Sequence, residues 1–304
     1  MKVLVTGASG FIGSYLVSIL ENSNYDVHAT YHDNKPNEIN KKTNWHQLDL
    51  FENIKVENLI QTIKPNHIIH LAWVTEHGKF WDSPLNKDWV DASINLFKKF
   101  KSIKGHKFIS CGTKAEYFDG EFIDEHLNST FECKEDMISN SDSIYGKSKN
   151  FLHEQLRVLD QEGSQSLVWA RVFDTYGPYE DKRKFCSYVI DNAINNKKVE
   201  CINPSLGMDF LHVYDIAKAF KIILDNDFIG TVNISSGKAV ELRDIAKYVL
   251  KKFEKENLLH LNLASKDCRT MFGDNEILKS LGWSQKYDIN KGLDDLIEFR
   301  IKNK

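Results

Sequence analysis

The chain has 304 residues, 41% hydrophobic and 27% charged, which is the composition of a globular protein with one large or two domains. A net charge of −3 gives no general attraction to nucleic acid or to an anionic membrane, so neither is expected as a partner. The five cysteines are scattered, which argues against a disulfide framework and a structural zinc site. Without a secretory signal or an apolar run of ~18 residues, a cytoplasmic protein without a membrane span is expected.

The first half of the chain alternates strand-like and helix-like segments. Strands are predicted at KVLVTG, YDVHATYH, TNWHQLDL, PNHIIHLAW, HKFISC and SLVWARVF. Helices are predicted at GFIGSYLVSILENS and IKVENLIQTIK, near residues 88 to 103, and from about Ser143 to Leu159. Repeated β-α-β units with short connections predict an α/β fold with a doubly wound parallel sheet, covered by helices on both faces, over residues 1–170.

The second half is less regular. Helices are predicted at KFCSYVIDNAINNK, VYDIAKAFKIIL and LRDIAKYVLKKFEKE, and a strand that ends in a turn at GTVNISSG. Such short mixed elements predict a smaller cap domain over residues 171–304, packed on the carboxyl edge of the sheet. Some of its segments are expected to return to the first domain.

A glycine-rich turn follows the first strand in the sequence VLVTGASGFIG. Glycine permits a tight turn and a close approach of the backbone to a pyrophosphate, and the helix that follows offers free N–H groups to phosphate. This strand-turn-helix context predicts a Rossmann dinucleotide-binding site, with a plain glycine-rich turn as the alternative. The residues expected at the cofactor here are Gly7, Ser9, Gly10, Phe11, Ile12 and Gly13.

A predicted helix in SDSIYGKSKNFLHEQL carries Tyr145 and Lys149, which lie on one face about one turn apart. A phenol with its ordinary pKa near ~10 is a poor acid-base group at neutral pH, but a nearby ammonium favours the phenolate and lowers that pKa. Downstream of a dinucleotide-binding turn, the pair predicts a proton-carrying tyrosine, with Lys149 also holding the nicotinamide ribose. A chance Y-x-x-x-K is the alternative.

These motifs resemble the extended short-chain dehydrogenases/reductases, the NAD-dependent epimerase/dehydratase family that works on nucleotide sugars. The resemblance rests on the G-x-x-G-x-x-G turn, the sequences LDL (48–50) and HLA (70–72), the Y-x-x-x-K pair, and the segments WARVFDTYGPY and GMDFLHVYDIAKAF. It spans nearly the whole chain, and the FDTYGP variant is closest to that of the nucleotide-sugar 4-ketoreductases. It also implies that the smaller domain, residues 171–304, is mainly the substrate-binding domain.

The resemblance implies further residues at the cofactor. Asp49 would contact the adenine, and the loop at Ala72 would pass over the cofactor. Tyr31 occupies the position where relatives that use NAD carry an acid, which favours NADP(H) over NAD(H), although Asp33 leaves NAD(H) open and Lys35 lies close behind. The cofactor residues implied in this way are Tyr31, His32, Asp49, Leu50, Leu71 and Ala72.

The stretch FISCGTKAEYFDG has two interpretations, a strand cap and a substrate shelf. The resemblance makes Thr113, four residues before Tyr117, the third catalytic residue, with a hydroxyl that holds the reacting oxygen beside Tyr145. Lys114 and Ala115 stand where the 4,6-dehydratases of the family carry an Asp-Glu pair. Dehydration is therefore not expected.

The resemblance places Asp174 in the substrate cleft, where asparagine is usual, and makes Arg183 and Arg269 candidates for binding the nucleotide diphosphate. The loop that holds Glu180, Arg183 and Lys184 either faces the cleft or is a solvated charged loop. Asp209, His212 and Asp215 of the GMDFLHVYD segment are expected to tie a loop to a helix start, and Met208 replaces a family arginine.

The function implied is NADPH-dependent reduction of the 4-keto group of a nucleotide-linked 4-keto-6-deoxy sugar. An NAD-dependent nucleotide-sugar 4-epimerase is the enzymatic alternative, and a protein that senses the NADP(H) redox state without turnover is the non-enzymatic one. The resemblance also implies a homodimer as one possible assembly. The nucleotide, the sugar and the product stereochemistry stay open.

Overall fold

A computed structural model describes residues 1–33, 42–117, 129–161, 165–262 and 268–303, so Lys35 lies outside the described residues. The elements of the first half are β1 (Lys2–Thr6), α1 (Phe11–Leu20), β2 (Asp26–Tyr31), β3 (Asn44–Gln47), α2 (Asn53–Ile63), β4 (His67–His70), α3 (Leu85–Ser102), β5 (Lys107–Thr113), β6 (Thr130–Cys133), α4 (Ile144–Gln161) and β7 (Leu167–Val172).

The elements of the second half are shorter on average. They are β8 (Asp174–Tyr176), α5 (Phe185–Ile194), β9 (Val199–Cys201), β10 (Gly207–Met208), β11 (Phe210–His212), α6 (Val213–Asp225), β12 (Gly230–Ile234), β13 (Val240–Glu241), α7 (Leu242–Lys252), β14 (Leu259–Leu261), β15 (Thr270–Gly273), α8 (Glu276–Ser280) and α9 (Ile289–Lys302).

Within the described residues, seven parallel strands form the central sheet in the order β3-β2-β1-β4-β5-β7-β12. The inner strands are continuous apolar runs because both faces of the sheet are covered, and β4 and β7 are buried at every position. Since all seven strands run in one direction, their carboxyl ends meet at a single edge. The predicted Rossmann fold is confirmed.

Helices cover both faces of this sheet. On one face α1 and α6 share a core in which Val17 and Phe220 are fully buried. On the other face α2, α3 and α4 share a core with β5 and β7, where Phe97 and Leu156 pack with Trp169. The two cores fix α1 and α4 against opposite faces of the strands whose carboxyl ends carry the candidate site.

The C-terminal elements lie around a third apolar core formed mainly by α5, α7 and α9. With β6 from the first half of the chain they form a four-stranded sheet in the order β13-β10-β15-β6, and they include the parallel pairs β8-β11 and β9-β14. Within them β12 leaves this region and pairs with β7 at the edge of the central sheet. The division of the chain at residues 170 and 171 stays a prediction.

Candidate active site

The glycine turn lies against the carboxyl end of β4. Gly7 has φ 66°, and a Cβ atom there would lie 2.7 Å from the backbone nitrogen of Ala72. A Cβ atom on Gly13 would lie 2.2 Å from the carbonyl oxygen of Gly7, so α1 packs directly on the turn. Gly10 begins α1 as its N-cap, and its N–H donates to the Gly7 carbonyl at 3.0 Å. Because the first N–H groups of a helix have no partner within it, the first turn of α1 can offer them to an anion at this turn.

The carboxyl ends of β2 and β3 bring the predicted adenosine-side residues together. Nε2 of His32 lies 3.7 Å from Oδ2 of Asp49, and Nδ1 lies 2.8 Å from Oδ1 of Asp33. The hydrogen bond with Asp33 raises the pKa of His32 above its ordinary range. Tyr31 ends β2 and meets the Trp45 ring edge-on, with the centroids 6.4 Å apart. The imidazole of His32 and two carboxylates therefore share this corner.

The remaining predicted cofactor residues lie at the same edge of the sheet. Ser9 and Gly10 are exposed at the glycine turn, and Phe11 and Ile12 are half-buried in the first turn of α1. Leu50 is buried after β3, and Leu71 donates its N–H to the carbonyl of Thr6 at 3.1 Å. Strands β1 to β4 thus carry these residues to one edge of the central sheet.

Lys149 is buried at the carboxyl end of β5. Its Nζ donates to the carbonyl oxygen of Cys111 at 2.8 Å and lies 3.6 Å from the ring centroid of Trp73. Burial lowers the pKa of Lys149 from 10.5 to about 8. The side chain therefore points into the sheet edge.

Tyr145 lies one turn before Lys149 on the same face of α4 and is half-buried. The rings of Phe80 and Trp81 meet it edge-on, with centroids at 4.9 and 5.8 Å. A Cβ atom on Gly146 would lie 2.5 Å from the carbonyl oxygen of Ala115, so glycine lets this turn of α4 press on the segment that follows β5. The packing sets Tyr145 beside the carboxyl end of β5.

Thr113 ends β5, and its hydroxyl caps the turn that follows. Its Oγ1 accepts from the N–H of Ala115 at 3.2 Å, and its own N–H donates to Oε1 of Glu116 at 2.7 Å. The strand cap predicted as one interpretation is therefore present. A hydroxyl that accepts a hydrogen bond still has a proton to donate, so the cap leaves the second interpretation open.

Glu116 holds the turn after β5 in place through hydrogen bonds from two buried side chains. Its carboxylate is fully buried and accepts from Nε of Arg171 at 2.7 Å and from Nε1 of Trp169 at 2.9 Å. These two groups, like the N–H of Thr113, are all donors. An ionised carboxylate suits such a set of donors, since it has no proton of its own to place.

His70 lies beneath the same edge as a neutral link between β1 and α3. Its Nδ1 lies 2.6 Å from Oγ1 of Thr6 and its Nε2 lies 2.8 Å from Oγ of Ser93. Burial, with a smaller effect of the Lys149 charge, lowers its pKa to about 3. The imidazole therefore stays uncharged and serves as a hydrogen-bonded spacer.

An ion pair joins two of the residues that depart from the family pattern. Nζ of Lys114 lies 2.5 Å from Oδ2 of Asp174, with side chains 19% and 16% exposed. Asp174 lies just after β7, and Lys114 follows Thr113 at the end of the neighbouring strand β5. The pair therefore lies at the rim of the edge that carries Thr113 and Tyr145.

The charged loop before α5 is divided between core and solvent. Glu180 is buried; burial raises its pKa to about 7, and its carboxylate accepts from the N–H of Ser187 at 3.0 Å. Lys184 donates to Oγ1 of Thr175 at 2.7 Å. Arg183 is exposed and pairs with Asp181 at 2.6 Å.

Arg269 is half-buried just before β15, and its carbonyl accepts from the N–H of Gly207 at 2.7 Å. The roles of Arg183 and Arg269 stay predictions.

The three retained residues of the GMDFLHVYD segment tie elements together, as predicted. Asp209 accepts from backbone N–H groups of the turn after β12 and of β15 at 2.8 to 3.1 Å. Asp215 accepts from two N–H groups of the segment before α9 at 2.8 and 2.9 Å. His212 caps α6 through its Nδ1. These residues stabilise the junction between the two halves of the chain.

Three residues at the site were not predicted from the sequence: Trp73, Glu116 and Asn86, whose Oδ1 accepts from the indole N–H of Trp73 at 2.8 Å. Trp73 directly follows Ala72, one of the predicted cofactor residues. Because β4 and β5 were both expected to end at one edge of the sheet, the sequence did indicate that Trp73 lies near Lys149. Glu116 carried a weaker signal as the third residue after Thr113, the spacing of a capping box. For Asn86 the sequence offered none.

The order of the seven strands and the glycine turn after β1 define a Rossmann-fold protein. The chain belongs to the NAD dependent epimerase/dehydratase family, whose sequence profile matches residues 3–235. That family comprises NAD(P)-dependent enzymes that modify nucleotide sugars. The resemblance found in the motifs is therefore confirmed.

Individual relatives agree with this assignment. The CDP-abequose synthase of Salmonella typhimurium strain LT2 is 28% identical over 324 residues, which cover 97% of each chain. The structure of UDP-glucose 4-epimerase with UDP-glucose from Thermotoga maritima matches with a TM-score of 0.86 at 20% identity, over 100% of this chain and 99% of that one. The UDP-glucose 4-epimerase of Thermus thermophilus, in complex with NAD, matches with a TM-score of 0.84 at 21% identity, over 98% of each chain.

The described part of the chain has no helix long and apolar enough to cross a membrane. In that same part, no group of three or more histidine, cysteine, aspartate or glutamate residues is placed to hold a metal ion.

Proposed function

We propose that this protein is an NADP(H)-dependent reductase of the 4-keto group of a nucleotide-linked 4-keto-6-deoxy sugar. The observation that carries the proposal is the buried Lys149 ammonium. It is bonded to the Cys111 carbonyl at 2.8 Å, one helical turn from Tyr145, at the strand end that carries Thr113. This arrangement supports a proton carrier beside a polar shelf.

Each of the three side chains has a distinct part in the reduction. Tyr145 gives its phenolic proton to the carbonyl oxygen of the sugar, and the Lys149 ammonium stabilises the phenolate that is left. Thr113 donates its hydroxyl proton in a hydrogen bond to the same oxygen and so fixes the carbonyl beside Tyr145. The nicotinamide, when bound, supplies the hydride for the carbonyl carbon.

The proposed cofactor site is the carboxyl edge of β1 to β4, where the backbone is suited to a dinucleotide. Gly7 and Gly13 leave no room for a side chain, and the first turn of α1 offers N–H groups to a diphosphate. At the adenosine side, Tyr31 in place of an acid and the cationic tendency of His32 favour NADP(H), since a cation is suited to the additional phosphate.

Reduction is favoured over dehydration by the charges next to Thr113. Loss of water from the sugar needs a proton donor and a proton acceptor beside the leaving hydroxyl, and Lys114 and Ala115 occupy those positions. The Lys114 ammonium is held by Asp174 at 2.5 Å, so its proton is committed to an ion pair. Neither side chain supplies the base that the elimination requires.

A 4-epimerase that retains NAD is the second candidate. It is favoured by the carboxylates of Asp33 and Asp49, which lie 2.8 and 3.7 Å from the His32 ring and are suited to ribose hydroxyls rather than to a phosphate. An epimerase interconverts two sugars without consuming free cofactor, whereas a reductase consumes one NADPH for each sugar.

The proposed assembly is a homodimer. It is supported by Ile144, Phe151 and Val158, three exposed apolar side chains spaced seven residues apart along α4, each at least 47% exposed. Such spacing puts them on one side of the helix. The homodimer and its interface stay a prediction.

Oxidation of NADPH, followed by its absorbance with CDP-, dTDP-, GDP- and UDP-linked 4-keto-6-deoxy sugars, tests the reaction. At least one sugar should be reduced with stoichiometric loss of NADPH, and NADH should be the poorer donor. Tyr145→Phe should lower turnover by about 10²–10⁴-fold, the loss typical for a general acid. Tyr248→Phe, a tyrosine bonded to Asp294 on α9, is the matched control and should keep full turnover.

Near-normal turnover by Tyr145→Phe would refute the assignment of the proton donor. Conversion between two sugars with no net loss of NADPH or NADH would instead establish the epimerase. Binding of NADPH with no turnover of any sugar would favour a sensor.

A further inference from the structure

Trp73 faces the Lys149 ammonium from the end of β4. The indole is 8% exposed, and Nζ of Lys149 lies 3.6 Å from its ring centroid. The face of an indole ring attracts a cation, most strongly where water is excluded. Together with the Cys111 carbonyl at 2.8 Å, the ring holds the charged end of Lys149 from a second direction.

The indole is itself held in place by a buried amide. Its Nε1–H donates to Oδ1 of Asn86 at 2.8 Å, and Asn86 is fully buried near the start of α3. Nδ2 of Asn86 donates to the carbonyl oxygens of Phe80 and Ser83 at 2.8 and 3.0 Å. With both amide protons and the oxygen engaged, Asn86 has one orientation, and so has the Trp73 ring.

The same amide fixes the support of Tyr145. The carbonyls that Asn86 binds belong to the turn formed by residues 80 to 83, whose rings Phe80 and Trp81 contact Tyr145 at 4.9 and 5.8 Å. One buried side chain therefore joins the aromatic contacts of Lys149 to those of Tyr145.

We propose that Trp73 is a positioning residue for Lys149 and that Asn86 couples it to the aromatic support of Tyr145. The inference rests on the proposed function in one respect, that Tyr145 and Lys149 act as a pair. Trp73 touches neither reacting atom and acts through the lysine, by holding its ammonium in place and by favouring its charged form.

The charge of Lys149 is sensitive to this support because burial already lowers its pKa to about 8. The titratable groups that face it are Cys111 on β5, Glu116 after β5, His70 on β4 and Tyr145 on its own helix. These groups stay in place when Trp73 is replaced. Loss of the indole ring should therefore lower the pKa of Lys149 further, so that the lysine releases its proton at a pH closer to neutral.

Kinetics of Trp73→Leu and Trp73→Phe test the proposal, with the keto sugar that the wild-type protein reduces. Trp73→Leu should lower kcat on the order of 30-fold, the equivalent of about 2 kcal/mol for a buried cation–π contact. It should also move the alkaline limb of the kcat/KM profile about one unit to lower pH. Trp73→Phe, which keeps a ring, should lose less than about tenfold and move the limb less.

Trp89→Leu is the matched control. Trp89 packs on the Trp73 ring with centroids 6.1 Å apart and is bonded through its carbonyl to Ser93 on α3. Its loss removes similar apolar packing but leaves the ring at Lys149, so its alkaline limb should stay at the wild-type pH. An unchanged limb in Trp73→Leu, or the same displacement in Trp89→Leu, would overturn the proposal.

A readout independent of turnover separates this inference from the proposed function. If the wild-type protein reduces no keto sugar, the proposed function fails, and the role of Trp73 is decided by unfolding. The free energy of unfolding of Trp73→Phe should begin its rise with pH at a lower pH than that of the wild type, because its lysine loses the proton earlier. Coincident rises would overturn the role of Trp73.

Discussion

Replacement of Lys149 by methionine should abolish activity and yet stabilise the protein at neutral pH. Methionine fills a similar volume, carries no charge and packs well on an aromatic ring such as that of Trp73. The lysine pKa is lowered from 10.5 to about 8 in the folded protein, so keeping the ammonium buried at pH 7 costs about 3 kcal/mol, at ~1.36 kcal/mol per pKa unit.

Part of the stability gained by removing the buried charge is lost again, because methionine cannot donate the hydrogen bond to the Cys111 carbonyl. A buried carbonyl oxygen left without its donor costs about 1–3 kcal/mol. Lys149→Met should therefore be more stable than the wild type by up to about 2 kcal/mol at pH 7. With an unfolding entropy of ~2.1 cal/mol/K for each of 304 residues, this corresponds to a Tm higher by up to about 3 °C.

The pH dependence gives the sharper test. Between pH 8 and 10.5 the unfolded wild-type chain keeps the lysine proton that the folded protein has released, so wild-type stability rises with pH in this window. The advantage of Lys149→Met should shrink by about 1.4 kcal/mol per pH unit there and change sign.

Urea unfolding followed by far-UV circular dichroism at pH 7 to 10.5 measures both quantities. Lys147→Met, which changes an exposed lysine of the same helix, is the control and should show no such trend. A difference between Lys149→Met and the wild type that does not vary with pH would refute the reasoning, because the lysine would then be charged throughout.

Two further predictions concern charged pairs near the site. Glu116→Gln should lower stability by about 3–5 kcal/mol, since it leaves the buried Arg171 unpaired and turns an N–H toward other donors. Thermal unfolding checks this against Glu154→Gln, an exposed pair worth at most about 1 kcal/mol, and equal losses would contradict it. Lys114→Met should raise KM for the keto sugar about tenfold, because the unpaired Asp174 carboxylate repels an anionic substrate. The double variant Lys114→Met with Asp174→Asn should return KM most of the way to the wild-type value. An unchanged KM in the single variant would exclude a role of the pair in substrate binding.

Much of the first half of the fold follows from the sequence because its signals are local. The glycine turn depends on residues 7 to 13 alone, and the face shared by Tyr145 and Lys149 depends only on helix geometry. Parallel strands buried on both faces appear as continuous apolar runs, so β1 and β7 were predicted with bounds close to those observed, whereas β4 covers only His67–His70 of the predicted strand 65–73.

The second half was predicted less completely because its strands are short. β10 and β13 have two residues each, too few for any periodicity to be read. α9 was missed, since Leu293 and Ile297 are spaced among charged residues at the end of the chain. The pairing of β12 with β7 depends on contacts between residues about sixty positions apart, such as Trp169 and Thr231.

The sequence by itself determined which functional groups are present and how they are spaced locally. These are a turn shaped for a diphosphate, a tyrosine and a lysine one helical turn apart, and a threonine at a strand end. Tertiary structure alone decided that Lys149 is desolvated between Trp73 and Cys111, and that Lys114 meets Asp174. The reason is physical. A spacing along one helix is fixed by backbone geometry, whereas burial and charge pairing arise only when strands and helices distant in the chain are packed together.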